Sequence, residues 1–230
     1  MFKFFVYIVE SPSDQDLYRG DSEGRLLAGA LRLDRIPAVT RTVINYAAFN
    51  AALTTGLAEA MRNIPDRHPI LHLSAHGAKH GIQLSSGQIF EWSQLRNFLV
   101  PINRALNDAL VLCMSACEGY NACRMAMQVG DQFHPFLCMV GTPAKPTWSD
   151  TAVGYLAFYH LLAQGKNLPE AVQALTVSSG NPWFLETAAN LQQSFVDYIR
   201  DQTSTPNAHA QMATEIEQIN NSPSAPPPDV

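Results

Sequence analysis

At 230 residues, with 47% apolar and 15% charged side chains, the chain has the composition of a folded domain and can bury roughly 70–75% of its unfolded surface. A net charge of −5 without a basic stretch argues against nucleic acid as a partner, and no run approaches the about 18 apolar residues that span a membrane. Of the four cysteines, Cys113, Cys117 and Cys123 crowd into one segment, a poor disulfide framework that points to a reducing, cytoplasmic setting.

The start, Met-Phe-Lys-Phe-Phe-Val-Tyr-Ile-Val-Glu, turns acidic too soon for a signal peptide and predicts a core strand over 2–9. Glu10 to Gly24 is polar and predicts a long loop. Leu26, Leu27, Ala30, Leu31 and Leu33 recur at helical spacing, the β-branched stretch 36–44 predicts a second strand, and Phe49, Leu53, Leu57 and Met61 mark a helix ending before Pro65. A third strand is expected over 69–74. A Ser-Ser-Gly turn between two short alternating runs predicts a hairpin over 81–90, with Ser93 capping a helix to about residue 100. A strand over 109–115, a helix over 120–129 and a strand over 136–140 follow. Asp150 is expected to open a helix over 151–164, Pro169 to sit in the first turn of the next, and a last helix to span 183–200. Strand-helix alternation predicts an α/β sandwich with a mostly parallel central sheet covered on both faces, one domain over 1–201. Residues 202–230 are expected to be weakly structured, with at most a weak helix over 208–219.

Two strand ends carry the chemistry. One runs into Ser74-Ala75-His76-Gly77, the other into Ser115-Ala116-Cys117-Glu118-Gly119. Parallel sheets present reactive groups beyond their strand C-termini, so neighbouring strands would bring His76 beside Cys117 as base and nucleophile. A helix from Tyr120 would favour the thiolate by its positive end. Gly77 would let a substrate carbonyl approach, and its N–H with that of Cys117 could form an oxyanion hole. His72, His76 and His80, spaced by four, would line one helix face as metal ligands, but the strand pattern and Gly77 oppose a helix there. Cys113, Cys123 and Cys138 read as small buried hydrophobes. Trp148 and Trp92 are candidates to line substrate subsites.

Ser-Ala-His-Gly, a hairpin and helix, Met-Ser-Ala-Cys-Glu-Gly, Val-Gly-Thr-Pro and Ser-Asp-Thr-Ala-Val-Gly-Tyr, in that order over about residues 2–180, resemble the caspase-like cysteine peptidases of clan CD, most of all the bacterial CHAT type. The resemblance implies a caspase-like three-layer sandwich, a His76–Cys117 dyad, Gly77 as the oxyanion glycine, no metal or organic cofactor, a protein or peptide substrate, and regulated proteolysis in defence or stress with an activating partner protein. In caspases an Arg in the loop after the first strand and a Gln two residues before the nucleophile hold an Asp side chain. Here Arg19 occupies a comparable loop, but Ser115 stands in the Gln position, and Asp14, Asp16, Asp21, Glu23, Glu118 and Asp150 gather at the same edge. Ser115, Asp150, Arg19 and Trp148 are therefore candidate substrate-binding residues, and a pocket with an acidic floor for Arg or Lys stands beside one for Asp. A catalytically silent protein-binding scaffold and a cysteine hydrolase of small amides or esters remain the alternatives.

Overall fold

The structure, a computed structural model, describes residues 3–204. The apolar run after Lys3 forms β1 (Phe4–Ser11), buried along its whole length, as a strand covered on both faces requires. It pairs in parallel with β2 (Ala38–Thr42) on one side and β3 (His68–Ala78) on the other. Then come β6 (Val111–Ser115) and β7 (Cys138–Gly141), both parallel, and β8 (Phe184–Thr187), antiparallel at the far edge, giving the order β2-β1-β3-β6-β7-β8. β3 outruns the sheet, and its last residues pair with the hairpin of β4 (Gly81–Gln83) and β5 (Ile89–Glu91).

Alternation along the strands divides the core in two. Phe5, Tyr7, Val9, Leu71, Leu73, Leu112 and Met114 face α3 (Tyr46–Ala51), α4 (Leu57–Asn63), α5 (Trp92–Ala105) and α8 (Ala188–Ser204). Val6, Ile8, Ile70, Val111, Cys113 and Val140 face α2 (Glu23–Leu31), α6 (Trp148–Ala163) and α7 (Leu168–Ser179). The result is the expected three-layer α/β sandwich. A π-helical turn, Ala52–Gly56, joins α3 to α4. The Ala52 carbonyl accepts from the Tyr7 hydroxyl at 2.7 Å, and burial pushes that hydroxyl up to about 12, so it stays a donor.

Several expectations need correction. The loop over 10–24 contains α1 (Asp14–Arg19), capped by a Ser13/Asp16 box, and the start of α2. Ser93 does not cap α5; Glu91 does, with Gln94 reaching back. The helix expected over 120–129 is a 3-10 helix, Gly119–Met125. Thr147 caps α6 and Asp150 is the return partner in its capping box. The last helix is preceded by β8 and runs past residue 201 to Ser204; the segment 208–219 lies outside the described residues. Among the described residues no helix is long and apolar enough to cross a membrane, and all four cysteines are free.

Candidate active site

β3 and β6 are in register with Ser74 opposite Ser115, and both residues lie on the face that α2 and α6 cover. Two residues further along each chain stand His76 and Cys117, both half-buried. They line one cavity of about 290 Å³ together with Ala75, Ser115, Trp148 and Thr151. Gly77 packs directly on the Cys117 backbone: a Cβ there would overlap the Cys117 carbonyl oxygen and lie 2.7 Å from its carbonyl carbon and 2.9 Å from its nitrogen. The glycine is needed because the Cys117 turn fills the space a side chain would take.

That turn is tightly held. The Glu118 N–H donates to Ala144 O at 2.8 Å and the Tyr120 N–H to Thr142 O at 3.0 Å, while Glu118 itself has φ 52°, a conformation that strains a residue with a Cβ. Cys117 Sγ lies 4.0 Å from Pro146 O. Burial pushes the Cys117 thiol up, with Lys145 pulling it down and Glu118 adding to the rise. The segment behind it is the 3-10 helix Gly119–Met125 in place of the expected α-helix. Cys113, Cys123 and Cys138 are buried and their thiols are pushed up further, Cys138 to about 11 and Cys123 to about 12, chiefly by burial. Cys117 is thus the accessible thiol of the four.

The three spaced histidines occupy separate surroundings. His72 is fully buried, with Nδ1 2.9 Å from the Tyr159 hydroxyl and its ring edge-on to Tyr155. His80 lines a different cavity with Trp92 and Arg96. His76 lies edge-to-face with Trp148, ring centroids 5.6 Å apart, and its Nε2 is 3.4 Å from Asp16 Oδ2.

Beside the cavity lined by His76 and Cys117 lies a second one of about 270 Å³, with Trp148 common to both. Two of its lining residues, Glu10 and Ser74, belong to a row of register partners that crosses four strands: Thr42, Glu10, Ser74 and Ser115. Glu10, 2% exposed, accepts from the Ser22 and Thr42 hydroxyls at 2.8 Å and the Gly24 N–H at 2.9 Å. Glu23, from the start of α2, accepts from the Ser74 hydroxyl at 2.5 Å and the Ser115 hydroxyl at 2.8 Å, so one carboxylate ties together the strand ends that carry His76 and Cys117. Among the described residues neither carboxylate has a Lys or Arg partner; the nearest basic group is His72 Nε2, 3.8 Å from Glu23. Buried carboxylates without a cation are costly unless something supplies one.

Of the residues chosen from sequence, the structure brings together His76, Gly77, Cys117, Ser115 and Trp148. Arg19 is exposed in the last turn of α1 and lines neither cavity. Nor does Asp150, whose carboxylate accepts from the Thr147 N–H at 3.0 Å and whose carboxyl is held below its ordinary value by that bond. Trp92 is buried and lines neither of these cavities, donating to Lys79 O. Sequence reasoning passed over Glu10 as a site residue and valued Glu23 only as one loop charge. A Glu ending an all-apolar strand, and a Ser two positions before both His76 and Cys117, were the available signals.

No known family's sequence profile matches the chain, and no curated protein matches it. Among solved structures it is similar to a secreted C11 cysteine protease from Bacteroides thetaiotaomicron, "iotapain", with a TM-score of 0.55 and 10% identity over 83% of this chain and 68% of that one. A secreted C11 cysteine protease of the same organism in complex with an irreversible peptide inhibitor gives a TM-score of 0.47 at 10% identity and the same coverage. The first likeness establishes a caspase-like α/β fold.

Proposed function

We propose that the chain is a cysteine peptidase that cuts proteins or peptides after Arg or Lys. The observation that carries the reading is one sheet edge on which an accessible thiol, an imidazole and a slot with two buried carboxylates, neither paired with Lys or Arg among the described residues, stand side by side. Chemically, His76 takes the Cys117 proton as the sulfur attacks the scissile carbonyl carbon. The oxyanion is held by the N–H groups of Gly77 and Cys117, and His76 returns the proton to the leaving amine as the C–N bond breaks. Water then hydrolyses the thioester, releasing the acid and restoring the thiol. The side chain before the scissile bond enters the slot past Trp148, where a planar guanidinium or an ammonium would bring Glu10 and Glu23 the opposite charge. An Asp side chain there would meet two carboxylates, which disfavours the caspase-like acidic preference.

A thiol pushed up by burial fits an enzyme whose substrate or partner completes the site, in keeping with regulated proteolysis. The similar fold belongs to a protein described as a cysteine protease, which agrees with the reading. The test is a fluorogenic peptide library varied at the cleaved position, with an irreversible peptide chloromethyl ketone as label. Hydrolysis after Arg or Lys and labelling at Cys117, both lost in Cys117→Ala and His76→Ala, are expected. Glu23→Gln should lower the preference for Arg over Leu by about 10- to 100-fold, the value of a hydrogen bond to a charged group. Labelling that survives Cys117→Ala refutes the peptidase assignment. A preference for Asp, or one indifferent to charge, refutes the slot.

A further inference from the structure

We infer that Asp16 is the positioning residue of His76, so that the site works as a dyad steered by a third, acidic side chain. The inference rests on the reading of His76 as the base for Cys117. It comes from α1, a six-residue helix that buries none of its residues. Core packing therefore does not account for its position against the dyad. What α1 does deliver is a carboxylate 3.4 Å from His76 Nε2.

That carboxylate is fixed before it meets the imidazole. Asp16 Oδ2 accepts from the Ser13 N–H at 3.1 Å and the Ser13 hydroxyl at 2.6 Å, and the Asp16 N–H donates back to Ser13 Oγ at 3.1 Å. Burial raises its carboxyl, but the bonds from Ser13 and the contact with His76 outweigh that and hold it below the ordinary value. On the other side, His76 Nε2 is shielded from solvent and makes no hydrogen bond among the described residues. The 3.4 Å contact is an ion-pair distance too long for a strong hydrogen bond, of the kind that closes once a substrate is seated. With Asp16 on the Nε2 side and Trp148 against the ring, the carboxylate would draw the ring proton to Nε2 and leave Nδ1 as the lone-pair nitrogen for the Cys117 proton.

The competing role for Asp16 is the cap of α1 alone, and three variants separate the two. Asp16→Asn keeps an acceptor for Ser13 but removes the charge. Asp16→Glu restores a carboxylate at a position where Glu serves a capping box well. Ser13→Ala removes the cap and leaves the carboxylate. In protein with 15N-labelled histidine, assigned through His76→Gln, wild type is expected to show the Nε2–H tautomer at His76 and Asp16→Asn a mixture. Turnover of the best peptide should fall about 10- to 100-fold in kcat with KM within about twofold, less than the about 10⁴-fold loss at a fully buried orienting carboxylate because the His76 side chain is 42% exposed. Asp16→Glu should recover part of it, and Ser13→Ala should stay within about threefold of wild type. An unchanged tautomer in Asp16→Asn, or an equal loss in Ser13→Ala, overturns the inference. The tautomer reading needs no turnover, so it decides on Asp16 even if Cys117→Ala shows that the peptidase assignment is wrong.

Discussion

Replacing Gly77 by Ala tests whether the His76 strand and the Cys117 turn are built as one unit. The added Cβ would overlap the Cys117 carbonyl oxygen and sit 2.7 Å from its carbonyl carbon, whereas carbon contacts settle at about 3.5–4.0 Å, so the two backbones must part by at least about 0.8 Å. Neither can yield easily. Gly77 is paired with Ile82 in the hairpin, and the turn is tied through Glu118 and Tyr120 to Ala144 and Thr142. Overpacking of this kind costs about 1–3 kcal/mol, or roughly 2–12 °C in melting temperature for a domain of this size. Since a misplacement near 1 Å costs about 100-fold in rate, labelling of Cys117 by a peptide chloromethyl ketone should fall by about that factor while the protein remains folded. Differential scanning calorimetry and labelling followed by intact-mass spectrometry measure the two effects. Melting within about 1 °C of wild type together with labelling within about threefold would refute the claim that the two backbones touch.

Because burial raises the Cys117 thiol by more than Lys145 lowers it, alkylation by a small haloacetamide should still be gaining speed at pH 9, as the thiolate fraction grows. A stopped-flow profile that levels off below about pH 7 would reveal a preformed thiolate and contradict this. Gly29 lies inside α2 with nothing within 4 Å of a built Cβ, so Gly29→Ala should stabilise by about 0.5–1 kcal/mol without changing activity, as judged by urea unfolding. Asp131 accepts from the Phe133 N–H and pairs with Arg96, which together hold its carboxyl below the ordinary value. A depressed folded value means the stabilisation is present above about pH 4 and drains away as pH falls through the folded value. Asp131→Asn should therefore flatten the acid side of a melting-temperature profile, by less than about 1 kcal/mol because the pair is partly exposed. An unchanged acid side would discount the pair.

The parts of the molecule legible in the sequence are those that bury apolar side chains at a regular period. β1, β3, β6, α6 and α7 do so, and with them the strand ends bearing His76 and Cys117 were in view. The parts that were not legible bury little or break the period. α1 has no apolar stripe because it covers no core, and only the Ser13-x-x-Asp16 spacing announced it. β8 is four residues at a sheet edge, none of them buried, and its apolar positions merged into the pattern of α8. The 3-10 helix after Cys117 begins at Gly119 and ends at Met125, too short for its pitch to be told from an α-helix. Glu10 and Glu23 needed the register: only the alignment of β1, β3 and β6 puts Glu10, Ser74 and Ser115 in line beneath α2.

That alignment has a thermodynamic side. Desolvated acids are seldom what a fold would choose for its own sake, since apolar substitutes of similar size are often neutral or stabilising by about 1–4 kcal/mol. The slot is therefore a soft spot at the rim of a rigid sheet, and a guanidinium seated there would finish the interior from outside. A small arginine mimic at about 100 times its dissociation constant would add about 2.7 kcal/mol to the unfolding free energy. On the proposed reading, the residue to be cut doubles as the counter-ion this interior lacks.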